Sequence, residues 1–191
     1  MSHKGYDLIF PTVIGHHMRK DLIQPVTKIL QEVPITEGWD AISTKNDKIL
    51  DNYVRLKKAF TDEVQSFLKD IMKYDCDLQM TTSWFTKVNK NEKLHAHDHN
   101  NSWYSACFYI QEDCQLKFET KASQIYVHPT EETLYNSLGV TYNPEPGSIL
   151  IFPSKTMHLI VQHNWNSARY SLAFNFMPKG KVGMHDSSYE Y

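Results

Sequence analysis

Residues 94–110 read LHAHDHNNSWYSACFYI, and this stretch changes character halfway along. Its first half sets histidines two residues apart, at His95, His97 and His99. Residues at that spacing on an extended strand project from one face. Their imidazoles can therefore converge on one point, as metal ligands must. Its second half, Trp103 to Ile110, is an apolar run that reads as a buried strand. The stretch as a whole predicts a metal site built at a strand end. The alternative is a solvated histidine-rich loop that binds metal adventitiously, and residues elsewhere in the chain have to separate the two.

Working outward, the same two-residue period governs what precedes and follows. Leu78, Met80, Thr82, Trp84, Thr86 and Val88 alternate with mostly polar residues. Further strands are predicted at 103–110, 115–119, 124–128, 148–153, 158–162 and 168–176. Gly139, Asn143-Pro144 and Pro146-Gly147 supply turns, and Glu131 to Val140 reads as a long polar loop. Before residue 77 the period is helical. Leu8 to Ile14 reads as a short strand broken by Pro11. A first helix over 20–33 carries Leu22, Val26, Ile29, Leu30 and Val33, with Pro25 in its first turn and Pro34 beyond its end. Residues 36–46 read as a loop. A second helix over 47–73 has an apolar spine of Tyr53, Leu56, Phe60, Val64, Phe67 and Ile71, widened by Leu50, Val54 and Leu68. Seven or eight short strands after a helical layer predict a mainly β fold with N-terminal helices, a jelly roll or related cupin-like barrel. One domain is expected over 1–191: a strand and helical layer (1–76), a β core (77–177) and an irregular tail (178–191).

Composition narrows the function classes. The chain has 191 residues, 41% of them hydrophobic, enough for a core. A net charge of −2 and the lack of a long basic run argue against nucleic acid as partner. Cys76, Cys107 and Cys114 are odd in number and share no metal-type spacing. They fit a reducing, cytoplasmic setting, and Cys107 reads as a small core residue. No apolar run approaches ~18 residues, so no membrane partner is expected. The oligomeric state is left open, and a homodimer is compatible with the sequence.

The second half of the site lies at 146–175, PGSILIFPSKTMHLIVQHNWNSARYSLAFN. The strand Ile149 to Phe152 ends in the turn Pro153-Ser154, and His158 opens the next strand. A jelly roll can bring His158 beside histidines some 60 residues earlier, and a metal site needs such a third ligand. The last strand alternates Ala168, Tyr170, Leu172, Phe174 and Phe176 on one face with Arg169, Ser171, Ala173 and Asn175 on the other. The second set suits a polar cavity for an anion. An arginine fork binds a carboxylate bidentately, and the Ser171 hydroxyl adds a bond. A solvent-exposed face is the alternative.

Together these residues resemble the iron(II)- and 2-oxoglutarate-dependent oxygenases, and within them a group found in bacteria and phages. The matching elements are Phe10-Pro11-Thr12, His97-Asp98-His99, Ser105, Phe108-Tyr109-Ile110, Phe152-Pro153-Ser154, His158, Arg169-Tyr170-Ser171 and Phe174-Asn175. The resemblance implies a double-stranded β-helix. It implies His97 as the proximal iron ligand, His158 as the distal one, and Arg169 with Ser171 on the far carboxylate of 2-oxoglutarate. Tyr109 stands where related prolyl hydroxylases place a tyrosine that bonds the same carboxylate, although core packing would also account for a buried tyrosine. Ser105 is placed with this co-substrate set.

The chain departs from the wider pattern at position 99. The usual proximal motif is His-x-Asp or His-x-Glu, completing two histidines and a carboxylate. Here it is His99, while Asp98 points to the opposite face of a regular strand. The expected metal set is therefore His97, His99 and His158, with His95 and His97 as the other pairing. The cupin motif also begins His-x-His but requires a glutamate four residues after the second histidine. Trp103 or Asn101 stands there, so it does not match. His16, His17, His128, His163 and His185 lack such a context and read as surface or structural. The function implied is hydroxylation of an unidentified substrate, using O2, with oxidative decarboxylation of 2-oxoglutarate. Two rivals are a three-histidine metal dioxygenase that needs no 2-oxoglutarate, for which Arg169 would have no use, and a non-catalytic jelly-roll binding module.

Overall fold

The alternation along the last long strand becomes the boundary between two cores. The computed structural model describes residues 5, 8–37, 42–112, 114–120 and 127–190. In chain order its strands are β1 (Gly15–Met18), β2 (Ile35–Glu37), β3 (Ile42–Thr44), β4 (Asp77–Val88), β5 (Leu94–His97), β6 (Tyr104–Tyr109) and β7 (Leu116–Glu119). They continue with β8 (Gly139–Tyr142), β9 (Ser148–Pro153), β10 (Met157–Ile160), β11 (Arg169–Lys179), β12 (Lys181–Val182) and β13 (Tyr189–Glu190). The helices are α1 (Ile23–Glu32) and α2 (Val54–Ser66). A large sheet runs β1-β9-β6-β11-β4-β3-β2 and a small one β5-β10-β7-β8, with antiparallel pairing throughout both. The fold is a double-stranded β-helix, a jelly roll carrying helices on one side.

One face of the large sheet packs on the helices. Phe108, Ile149, Ile151, Leu172, Phe174 and Phe176 meet Val26, Ile29, Phe60, Val64 and Phe67 there. The other face meets the small sheet, where Val88, Cys107, Tyr109, Leu150 and Phe152 pack with Leu116, Phe118 and Ile160.

The structure alters several expectations. The first strand is Gly15–Met18, and residues 8–14 form none. Backbone pairing to β9 selects it, through Gly15 opposite Ile151 and Met18 opposite Ser148. The segment read as a loop at 36–46 holds the hairpin strands β2 and β3, which extend the large sheet. Gly139 is a strand residue of β8 and makes no turn: a side chain there would meet the Phe118 carbonyl. Gly147 does serve a turn, with φ +91°. Residues 127 and 128 lie in no strand, and 124–126 fall outside the described residues. The tail is ordered by β12 and β13 as a small hairpin.

Two long-range patterns are broken locally. The strict alternation of β4 fails at Thr81, which has no partner because Asn175 pairs Thr82 and Phe176 pairs Met80. This bulge moves Leu78 and Met80 to the helix side and turns Trp84 and Thr86 to the inter-sheet side. In the second helix, a π-helical turn at Phe67–Ile71 buries Leu68 and leaves Ile71 61% exposed. The chain also breaks at Tyr53, after a 3-10 turn at Ile49–Asn52, so Val54 is 73% exposed.

Candidate metal centre

Strand pairing explains how histidines far apart in sequence meet. β5 and β10 are neighbours in the small sheet, and His97 sits directly opposite His158. Their rings lie 4.3 Å apart between centroids. His99 follows two residues beyond, just past the end of β5, where its backbone N–H donates to the Ser154 carbonyl at 2.9 Å. Its ring lies 5.3 Å from that of His97 and 5.0 Å from that of His158. One ring nitrogen from each of the three lies within 4.8 Å of the others, a spacing that can hold a metal ion.

Hydrogen bonds set the ring tautomers. His97 Nδ1 lies 3.0 Å from the His95 carbonyl, and His158 Nδ1 lies 2.9 Å from the Thr156 carbonyl. A carbonyl only accepts, so each Nδ1 carries the proton and each Nε2 keeps a free lone pair. Burial pushes the His158 pKa down to about 3, against the Thr156 carbonyl, which raises it. Burial, with the neighbouring His97, lowers His99 to about 4. Both are neutral at pH 7, the state in which imidazole ligates a metal.

Asp98 stays outside this group. It lies 3.5 Å from the Lys155 ammonium, which also donates to Asn100. His95 is exposed and supplies the carbonyl that orients His97. His17 pairs with Glu63 at 2.7 Å, and buried His163 donates to the Ser167 carbonyl, so both have structural partners.

The cavity running from the histidines is lined by Trp84, Thr86, Leu94, Ser105, Cys107, Phe152, Ile160, Arg169, Ser171, Ala173 and Asn175, among others. Arg169 is 1% exposed. Its Nη1 donates to the Gln115 carbonyl at 3.1 Å, while its Nε has no partner, and no carboxylate among the described residues pairs with it. The Tyr109 ring lies 5.9 Å from the guanidinium carbon, and its fully buried hydroxyl is likewise unpaired. Burial holds the Tyr109 pKa well above its usual value, with the Cys107 thiol adding to the rise and Arg169 opposing it. Ser171 sits opposite Tyr109 on the adjacent strand and is buried. A buried cation beside a buried, unpaired phenol is the chemistry of an anion site.

Residues 82–175 match the family model described as "Putative 2OG-Fe(II) oxygenase", the span that contains every residue of this cavity. Over that span the chain matches the iron(II)/2-oxoglutarate oxygenases. That family uses iron(II) and 2-oxoglutarate. Solved oxygenases share the fold at low identity. HygX from Streptomyces hygroscopicus, with nickel, 2-oxoglutarate and hygromycin B bound, is 12% identical and superimposes with a TM-score of 0.64, covering 87% of this chain and 83% of that one. A Pseudomonas putida prolyl-4-hydroxylase is 13% identical at a TM-score of 0.56, covering 87% and 93%. The 2-oxoglutarate-dependent carbocyclase SnoK from nogalamycin biosynthesis is 10% identical at 0.61, covering 86% and 79%. No curated protein matches the sequence.

Ser105 lies at the histidine end of the cavity, beside the turn that holds His99. It donates to Asn175 Oδ1 at 2.7 Å and bonds the Ser154 hydroxyl at 2.8 Å. Sequence reasoning placed Asn175 on the polar cavity face of the last strand and Ser154 in a turn, without joining either to Ser105. The signals were there in Phe-Pro-Ser and Phe-Asn, but only the pairing of β6 with β9 and β11 shows that the three side chains meet. Among the described residues no helix is long and apolar enough to cross a membrane.

Proposed function

We propose that this chain is an iron(II)- and 2-oxoglutarate-dependent hydroxylase. In this reading His97, His99 and His158 hold the iron, and Arg169 binds the far carboxylate of 2-oxoglutarate with Ser171 and Tyr109. The residues present suit both groups: three imidazoles share one locus, two of them with Nε2 free by hydrogen bonding. The observation that carries the reading is Arg169. A buried guanidinium with one carbonyl partner and an idle Nε is an uncompensated charge, and such a charge costs several kcal/mol unless an anion pairs with it. A metal enzyme without 2-oxoglutarate would have no reason to keep it.

Iron with 2-oxoglutarate supplies the oxidising chemistry when bound. The chain supplies position and exclusion of water. Leu94, Leu116, Phe152 and Ile160 wall the cavity with apolar surface. The Cys107 thiol in its lining is ill suited to acid–base work, because burial keeps it neutral by raising its pKa. That leaves the bond-breaking to the cofactors, as the reading requires. His99 replaces the usual carboxylate by a neutral donor, so the bound metal would keep more positive charge and attract the dianionic co-substrate more strongly. The three cysteines fit a reducing, cytoplasmic setting.

The test is an anaerobic titration of the iron(II)-loaded protein with 2-oxoglutarate. A charge-transfer absorbance band, followed on admitting air by loss of CO2 from 2-oxoglutarate, is expected. Iron binding with no 2-oxoglutarate-dependent band contradicts the reading. Because the fold also carries a carbocyclase and an epimerase, product analysis by mass, seeking one added oxygen, decides for hydroxylation.

A further inference from the structure

The Phe10-Pro11-Thr12 motif takes no part in the metal centre. It lies in the segment that leads into β1, and it borders a groove of about 480 Å3. The groove is lined by Leu8, Pro11 and Ile14 from that segment, and by Leu134, Tyr135 and Val140 from β8 and the loop before it. β1 and β8 are edge strands of the two sheets, so the groove runs along the open seam between them.

The apolar side chains around this seam are not covered. Phe10 is 95% exposed and Leu134 84%, and Leu8, Ile9 and Tyr135 are exposed as well. With Val140 they present on the order of 800 Å2, about what one partner gives up in a standard stable interface. A monomer seldom exposes so large a connected apolar patch. Phe10 also has φ +56°, a backbone state that a bulky residue seldom holds unless a contact compensates it.

Three features decide what can cover this face. Glu119, the one charged residue among its described lining, is already paired with Lys117 at 2.7 Å, so an apolar occupant strands no charge. The β8 backbone is closed to an added strand at Gly139, whose N–H donates to the Ser137 hydroxyl and whose carbonyl accepts from it. An occupant therefore enters by its side chains. Phe118 stands between the groove and the histidines, its ring 5.0 Å from that of Phe152 and 6.2 Å from that of His158. The groove and the metal cavity share no lining residue among those described. A small substrate lodged here would not reach the metal.

We propose that this face binds a second copy of the chain in a two-fold pair, with Phe10 of each copy seated in the groove of the other. The face carries both halves of such a contact, a projecting ring and an apolar groove beside it. A two-fold axis brings each half onto its complement. The pair needs neither iron nor 2-oxoglutarate, so it stands or falls apart from the oxygenase reading.

The test is the mass of the whole chain in solution, measured by light scattering over a wide range of concentration. Wild type should show twice the chain mass and fall toward one chain on dilution. Phe10→Glu and Leu134→Lys should each weaken the pair by roughly 100-fold or more, because a two-fold pair loses the contact twice. Both side chains are exposed, so the circular dichroism spectrum should not change. Mixing the two variants leaves one contact native and sets the new acid against the new base in the other, so a hetero-pair should return. Val54→Glu, at an exposed valine on α2, should leave the pair unchanged. A wild-type monomer at every concentration overturns the proposal, whatever else the groove holds. So does a pair that survives Phe10→Glu and Leu134→Lys, the absence of a hetero-pair on mixing, or a pair that Val54→Glu loosens as much.

Discussion

Both faces of β11 are largely buried, and they are built on opposite terms. On the helix side, Leu172, Phe174 and Phe176 are fully covered, and the Phe174 ring packs 4.8 Å from that of Phe60, centroid to centroid. The cluster around them is hydrophobic, and buried Ser83, opposite Phe174, is paired with the Leu50 N–H at 2.9 Å. On the inter-sheet side, Arg169, Ser171 and Asn175 are also buried, yet they carry a charge, a hydroxyl and an amide that the protein itself only partly satisfies. Apolar burial stabilises the chain by about 25 cal/mol per Å2. Burying a guanidinium with one partner works the other way. The first face holds the jelly roll together. In the proposed reading the second keeps its polar groups for the co-substrate.

That contrast can be tested from both sides. The largest effect belongs to the helix side: Phe174→Ala should cost about 3–5 kcal/mol of folding stability, measured by urea unfolding, while the folded fraction keeps its 2-oxoglutarate affinity. Lost affinity with unchanged stability would break the division of labour. His158→Ala comes next. It removes one of the two histidines with an oriented Nε2, so iron(II) affinity should fall by more than roughly 100-fold, with the fold intact by circular dichroism. Arg169→Met sharpens the comparison by its sign. Without co-substrate this variant should be as stable as wild type, or up to about 2 kcal/mol more stable, because a buried charge gives way to an apolar side chain of similar length. In wild type 2-oxoglutarate should raise the melting temperature, and in Arg169→Met it should not. A strongly destabilised variant would mean that Arg169 serves the fold. The smallest effect is Ser171→Ala, the loss of one hydroxyl bond, about 1 kcal/mol or roughly fivefold in 2-oxoglutarate affinity.

The regular faces of this fold were legible in the sequence because a single physical rule governs each of them. The alternation of β11 separates its two environments, and the helical period of Phe60, Val64 and Phe67 marks the layer above the sheet. What escaped depended on contacts between distant segments. β1 is selected by its pairing with β9 rather than by its own composition. β2 and β3 are three residues each, too short for a period. The bulge at Thr81 and the π-turn at Phe67 each insert one residue's worth of rotation, which a fixed period cannot follow. In the candidate site, the histidines stood out by type and spacing, whereas Ser154 became visible only when β9 was laid beside β6. That Arg169 would be buried without a carboxylate partner could not be read from Arg-x-Ser at all.

The central claim is that Arg169 is buried for the sake of an anion, and co-substrate titration of the Arg169→Ala variant tests it most directly. Iron(II) is bound first, anaerobically, and 2-oxoglutarate is followed by its charge-transfer absorbance. The account predicts unchanged iron affinity, since the guanidinium is no part of the histidine group, and 2-oxoglutarate affinity lower by roughly 100-fold or more, the loss of a buried charge-paired contact. Equal 2-oxoglutarate affinity in wild type and Arg169→Ala would contradict it.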